Sequence, residues 1–300
     1  SRRRPQSDKC GRVPVKRSGD PSGLDFIFKL IILFSLAFYM VDLGVMTNDK
    51  YYGVFTGIFP HKNLLGRVAI IMMFFYFYRF KLSRDFTYLF LGIISLIFCI
   101  KSESSGALAI FILSLFSVFL VYRIGSALFI LIYFISVCAF LYFVPYIDEI
   151  LINLEWLFDL IGKDVTLTGR TILWEFSLLE VINNFWLGYG YSVYWVFGKG
   201  TMLLPYFGLN FDSPHAHNGF IDLIIDIGFV GMSLYFIYIK NLISCSINNR
   251  SNEYSAMFLF IILFLFNSNL LEKSYFFYND IQWVLYIISS VSIKNKMVGA

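Results

Sequence analysis

The sequence predicts an all-α integral membrane protein of about eight transmembrane helices with one large external loop containing amphipathic helices. Three observations predict it. Hydrophobic residues fill 58% of the 300 positions and charged residues only 15%, against roughly a quarter charged in a soluble domain, so lipid is the solvent this surface needs. Apolar runs near the ~20 residues that cross the hydrocarbon core recur along the chain. Lysines and arginines gather in alternate connections between those runs, as they do in cytoplasmic loops.

The leader, 1–23, carries Arg2, Arg3, Arg4, Lys9, Arg12, Lys16 and Arg17. A cytoplasmic topology anchor accounts for these charges with no nucleic-acid partner. The leader lacks the apolar core and small-residue cleavage site of a secretory signal. Because the first residue is Ser, the expectation is a chain shortened from a longer parent with further upstream helices. Five spans follow within 24–147, at 24–46, 64–80, 86–100, 104–122 and 125–147, and three more within 217–300, at 217–240, 254–271 and 279–293. If they alternate, Arg79, Lys81, Arg84, Arg123, Lys240, Arg250, Lys294 and Lys296 all share the leader's side, which is cytoplasmic by the positive-inside rule. The predicted location is the bacterial cytoplasmic (inner) membrane, with the large loop facing the periplasm or cell exterior.

The opposite side receives 47–63, 101–103, 148–216 and 272–278. The large loop, 148–216, gathers Asp148, Glu149, Glu155, Asp159, Asp164, Glu175, Glu180 and Asp212 but is also rich in Trp, Phe and Leu, which argues against disorder. Ile172, Leu173, Phe176, Leu179 and Ile182 recur at helical spacing, so 170–186 reads as an amphipathic helix at the membrane surface. The four cysteines, Cys10, Cys99, Cys138 and Cys245, form no CxxC pair, so neither a disulfide framework nor a zinc site is expected.

The three histidines, His61, His215 and His217, all fall at helix mouths on the outer face. Imidazole suits proton transfer near neutral pH; the plainer alternative is an interfacial ring that hydrogen-bonds a helix end. After His217, Asn218, Asp222 and Asp226 are four apart and share one helix face. Ionisable groups at such depth mark a wet or protein-lined interior, although Asp222 can equally satisfy a neighbouring helix. Arg67 and Arg170 are the outer-face arginines, and a guanidinium fork matches phosphate oxygens. Lys62 adds positive potential beside His61, or is simply solvated. No metal-ligand cluster, P-loop or Asp-x-Asp motif stands out, so no metal and no cofactor is expected.

The stretches TLTGRTILWE (166–175), GYGYSVYW (188–195) and HAHNGFIDLIIDIGFVG (215–231) resemble the O-antigen ligase and polysaccharide polymerase family, with FPHKNLLG (59–66), NLLEKS (269–274) and Trp283 in support. The wording is most similar to the exopolysaccharide polymerase branch and extends over roughly 20–295. The resemblance implies a membrane glycosyltransferase of GT-C-like architecture, metal-independent, that takes a polyprenyl-pyrophosphate-linked glycan and transfers it to a glycan acceptor, either lipid-linked polymer or lipid A core. It implies His217 as the base or orienting group and Arg170 as a pyrophosphate ligand; Arg67, His61, His215, Asn218, Asp222 and Lys62, singled out above from the residues themselves, are the expected substrate-binding set around them. The family's arginine in a Ser-x-Ser-Arg-Gly pattern is replaced here by Ser105 in SESSGAL, leaving Arg67 or Lys101 to supply its charge, or a different mode of donor binding. The rival readings are a ligase moving finished glycan en bloc, a lipid-linked glycan transporter, and a non-enzymatic scaffold.

Overall fold

A computed structural model describes residues 21–41, 43–47, 52–146, 170–196, 215–249, 253–274 and 280–294. The basic leader and the acidic residues from Asp148 to Asp164, with Asp212, lie outside these. Nine α-helices are described: α1 (Ser22–Met40), α2 (Lys62–Ser83), α3 (Phe86–Lys101), α4 (Ser105–Phe143), α5 (Arg170–Val181), α6 (Val193–Val196), α7 (Gly219–Asn248), α8 (Ser255–Ser268) and α9 (Ile281–Lys294). Among the described residues the only β pairing is an isolated bridge between Val45 and Phe55.

The helices α1, α2, α4 and α7 are long and apolar enough to cross a membrane, and α3, α8 and α9 are shorter apolar helices. The chain is an all-α multi-pass membrane protein. Leu108, Ile112, Leu115, Phe116 and Phe119 leave α4 exposed, an apolar surface of the kind that lipid covers. By contrast, every residue from Met257 to Ser268 of α8 is buried. A helix apolar on all sides belongs at the centre of a bundle, and α8 packs against α2, α4, α7 and α9.

Two glycines break helices that length alone makes continuous. Gly125, at φ 79 and ψ 165, divides α4 where the sequence reading separates spans 104–122 and 125–147. The chain reverses there. Ser114 and Ser117 of the first arm accept from Asn267 Nδ2 at 3.1 and 3.2 Å, while Tyr133 of the second arm donates to Asn267 Oδ1 at 2.9 Å. One buried amide on α8 thus ties both arms together, the polar glue expected between membrane helices.

The predicted span 217–240 is likewise not one helix. Gly228, at φ 64 and ψ −174, interrupts α7, and the segment after α5 fills the gap with its own backbone. Tyr189 N and Gly190 N donate to Ile225 O and Asp226 O at 2.8 and 2.9 Å; Phe229 N and Val230 N donate to Phe185 O and Trp186 O at 2.8 and 3.2 Å. Broken backbone is tolerated at membrane depth only where protein satisfies it, and these four bonds do so. A Cβ on Gly188 would sit 2.6 Å from Ile225 O, and one on Gly228 2.5 Å from Leu187 N, so both close approaches require glycine.

The amphipathic helix predicted at 170–186 is α5, followed by a 3₁₀ turn, Ile182–Asn184. Leu173, Trp174 and Phe176 are buried, while Leu179 and Ile182 are exposed. The inward face carries on through Ser177 to Val181, both buried, while the outer residues of the last turns stay exposed.

Candidate functional site

The site forms where α8 ends. The last carbonyls of a helix have no partner within it, and here three successive carbonyls beyond α8 are taken up by the start of α7 and the start of α5. Asn269 O accepts from Gly219 N at 2.7 Å, Leu270 O from Asn218 Nδ2 at 3.2 Å, and Leu271 O from Arg170 Nη1 at 2.8 Å. The next residue is Glu272, so its position is set jointly by α5, α7 and α8.

The 215–217 turn is clamped with equal care. Ala216 O accepts from Trp174 Nε1 at 2.7 Å, and Ala216 N donates to both Asp222 oxygens at 3.1 and 3.3 Å. Asp222 also accepts from Trp195 Nε1 at 2.8 Å. His217 N donates to His215 Nδ1 at 3.1 Å, and Asn218 Oδ1 caps α7 by accepting from Phe220 N and Ile221 N. These bonds hold His217 at φ 52, a left-handed conformation uncommon for a side-chain-bearing residue.

Held this way, His217 Nδ1 lies 2.9 Å from Glu272 Oε2, and Glu272 Oε1 pairs with Arg170 Nη2 at 3.1 Å. His217 keeps a side-chain exposure of 31% and Arg170 25%, so the group is accessible. His61 caps α2, its Nδ1 accepting from Asn63 N at 3.2 Å. Further along α2, one turn beyond Asn63, Arg67 is buried, and its Nε and Nη1 have no hydrogen-bond partner among the described residues. The charges of Arg67 and Arg170 both act on Glu272.

Burial works to raise the Glu272 carboxyl, but the His217 hydrogen bond and charge, with Arg67 and Arg170, prevail and hold it at about 2. Burial, reinforced by His217, pushes the His215 imidazole down to about 4, and burial also lowers His61. The site thus holds an ionised carboxylate beside a neutral His215 near pH 7.

Of the residues expected from sequence, the structure brings together His61, Arg67, Arg170, His215 and His217. Lys62 is buried at the start of α2, where its charge acts on His61. Asn218 and Asp222 are fully buried; Asn218 spends its side chain on Leu270 O and the first amides of α7, and Asp222 on Ala216 and Trp195, so they stand behind the site. Ser105 begins α4; a Cβ on its neighbour Gly106 would sit 3.1 Å from Leu271 Cδ1, one residue from Glu272. Lys101 is exposed. Sequence reasoning missed Glu272, whose signal was an adjacent Glu-Lys pair in a short external connection between apolar runs.

His215, His217 and Glu272 bring ligand-capable atoms within 4.8 Å of one another, the one such group among the described residues. A divalent cation placed there would face the repulsion of two guanidinium groups already acting on Glu272.

A multi-pass helical membrane protein with a histidine–carboxylate–arginine group at one end defines the class. The O-antigen ligase family model matches residues 89–236, a stretch of a little under half of the chain that contains Arg170, His215 and His217, and over this segment the chain is similar to that family. The chain is similar to the exopolysaccharide production protein ExoQ of Rhizobium meliloti (strain 1021), with 32% identity over 108 residues, 32% of this chain and 24% of the relative. The shared stretch therefore spans about a quarter of that relative's length. No solved structure matches the chain.

Proposed function

We propose that this protein is a polysaccharide polymerase, transferring glycan repeats from a polyprenyl-pyrophosphate-linked donor to a growing surface polysaccharide on the outer face of the bacterial cytoplasmic membrane. The observation that carries the reading is the pairing of His217 with the Glu272 carboxylate, together with a buried Arg67 whose Nε and Nη1 have no hydrogen-bond partner among the described residues. Unpaired donors on a buried cation are costly, and an incoming pyrophosphate supplies the acceptors they lack. Arg67 takes the electrostatic place that Ser105 leaves empty, and Arg170 presents the second guanidinium.

In this mechanism the donor's pyrophosphate is held by Arg67 and Arg170. His217 takes the proton of the acceptor hydroxyl as its oxygen attacks the anomeric carbon. The bond from that carbon to the pyrophosphate oxygen breaks, and the polyprenyl pyrophosphate leaves as an anion. Negative charge growing on the leaving group is met by cations already fixed in place, which stabilise it without reorganising at the moment of reaction. Glu272 orients the imidazole and balances the proton it gains. His61, Lys62 and His215 line the same mouth, and Asn218 and Asp222 position the turn.

Purified protein in lipid nanodiscs, given a polyprenyl-pyrophosphate oligosaccharide, should lengthen it without added nucleotide. His217→Ala and Arg170→Ala should abolish lengthening at normal protein levels. Full lengthening by both variants would sink the mechanism. The second reading, a ligase, draws on the family's description. It predicts long lipid-linked polymer accumulating in cells that lack the protein, rather than single repeats.

A further inference from the structure

We infer that Asp226 and Lys273, a buried ion pair whose lysine directly follows Glu272 in the chain, are positioning residues that fix the Glu272 carboxylate; the inference rests on the polymerase reading.

Lys273 Nζ lies 2.9 Å from Asp226 Oδ2, with side-chain exposures of 5% and 6%. The carboxylate's other oxygen accepts from Ser192 N at 3.0 Å, and the Asp226 carbonyl accepts from Gly190 N at 2.9 Å. The ammonium also stands 5.6 Å from the centre of the Tyr191 ring, within cation–π range. Asp226 therefore sits two residues before Gly228 at the α7 break and gathers the GYGY segment and the loop after α8 into one polar knot.

Lys273 directly follows Glu272 in the chain. The two side chains engage opposite partners: Glu272 meets His217 and Arg170, and Lys273 meets α7 beyond its first turns. The carbonyls of 269–271 are already fixed by Gly219, Asn218 and Arg170. Anchoring Lys273 fixes the loop on its far side too, which leaves the Glu272 backbone held from both directions. A buried ion pair adds little net stability over apolar residues of similar shape, so it is weak evidence of a stability role. Fixing a proton-transfer pair within a fraction of an ångström has a larger effect, because a ~1 Å misplacement can cost roughly 100-fold in rate.

The test is a cycle on the full chain in nanodiscs, with a polyprenyl-pyrophosphate oligosaccharide as substrate. Removing both charges together, as Asp226→Asn with Lys273→Met, avoids stranding one of them. The expected result is a kcat lower by roughly 10- to 100-fold with KM unchanged to about twofold, and little further loss when the same changes enter a Glu272→Gln background. Wild-type kcat in the folded double variant, or the same fold-loss in both backgrounds, overturns the positioning role. If the double variant fails to reach the membrane, Lys273→Arg decides by the same two comparisons, since it keeps the charge and moves its position. A wild-type protein idle on this substrate sinks the polymerase reading, and the positioning role falls with it.

Discussion

Glu272 joins His217 to Arg170, with Oε2 2.9 Å from the imidazole Nδ1 and Oε1 3.1 Å from the guanidinium. One carboxylate thus joins an imidazole on the turn before α7 to a guanidinium at the start of α5. Glu272→Gln keeps the side chain's size but removes its charge, so it cannot balance a proton gained by His217. A loss of about 100-fold in kcat is expected, in the range typical of general acid–base groups, with the protein still folded. Steady-state lengthening of a lipid-pyrophosphate oligosaccharide measures it. Activity within twofold of wild type would remove Glu272 from the mechanism.

His215 gives the site a pH-dependent stability of definite sign. Its folded pKa, about 4, lies below the ordinary 6.5, so below pH 6.5 the unfolded turn takes up a proton that the folded turn refuses. Stability falls as pH drops from about 6.5 towards 4, by at most on the order of 3 kcal/mol. Glu272 has the same sign in a lower window. Held at about 2 against an ordinary 4.5, it stabilises the fold above 4.5 and that contribution is lost as pH falls through the folded value. Thermal unfolding in detergent between pH 7.5 and 4.5 should show the first decline, and His215→Gln should flatten it. An unchanged slope in that variant would assign the decline to another group.

Much of this is legible in the amino-acid sequence alone. The apolar runs and their flanking lysines and arginines report the solvent, because charge and lipid exclude each other. His217, Arg170 and Arg67 are legible because polar groups at span mouths are few. Glu272 was obscured because loop carboxylates are common, and only the three-carbonyl junction after α8 shows that this one is held. Gly228 was equally hidden. A glycine inside an apolar run reads as a packing surface, and the break it makes depends on backbone from 185–190, some forty residues earlier, arriving to satisfy it.

That break predicts a sharp contrast between glycines. Gly228 combines φ 64 and ψ −174 with the Trp186–Leu187 backbone against the space of a Cβ. Alanine there should cost about 3 kcal/mol or more, from strain in an essentially glycine-only region together with the clash. Gly53, at φ 81 in open space, should lose only about 1 kcal/mol on the same change. Membrane levels and melting temperatures of the two variants compare them directly, and equal effects would mean that the α7 break is not structurally required.

Arg67 supplies the last contrast. Its Nε and Nη1 are buried without partners among the described residues, whereas both Arg170 terminal nitrogens are already engaged, by Leu271 O and Glu272. Removing Arg67 should therefore weaken donor binding while leaving the Glu272 junction in place. Arg67→Gln is expected to raise KM for a lipid-pyrophosphate donor by about 10-fold or more, the scale of a lost charge-assisted hydrogen bond. Arg170→Gln removes a bond that holds the 271–272 backbone as well, so it should lower kcat in addition. Binding of a fluorescent polyprenyl-pyrophosphate analogue separates the two effects. If Arg67→Gln binds the analogue as tightly as wild type, the buried guanidinium serves the fold and not the pyrophosphate.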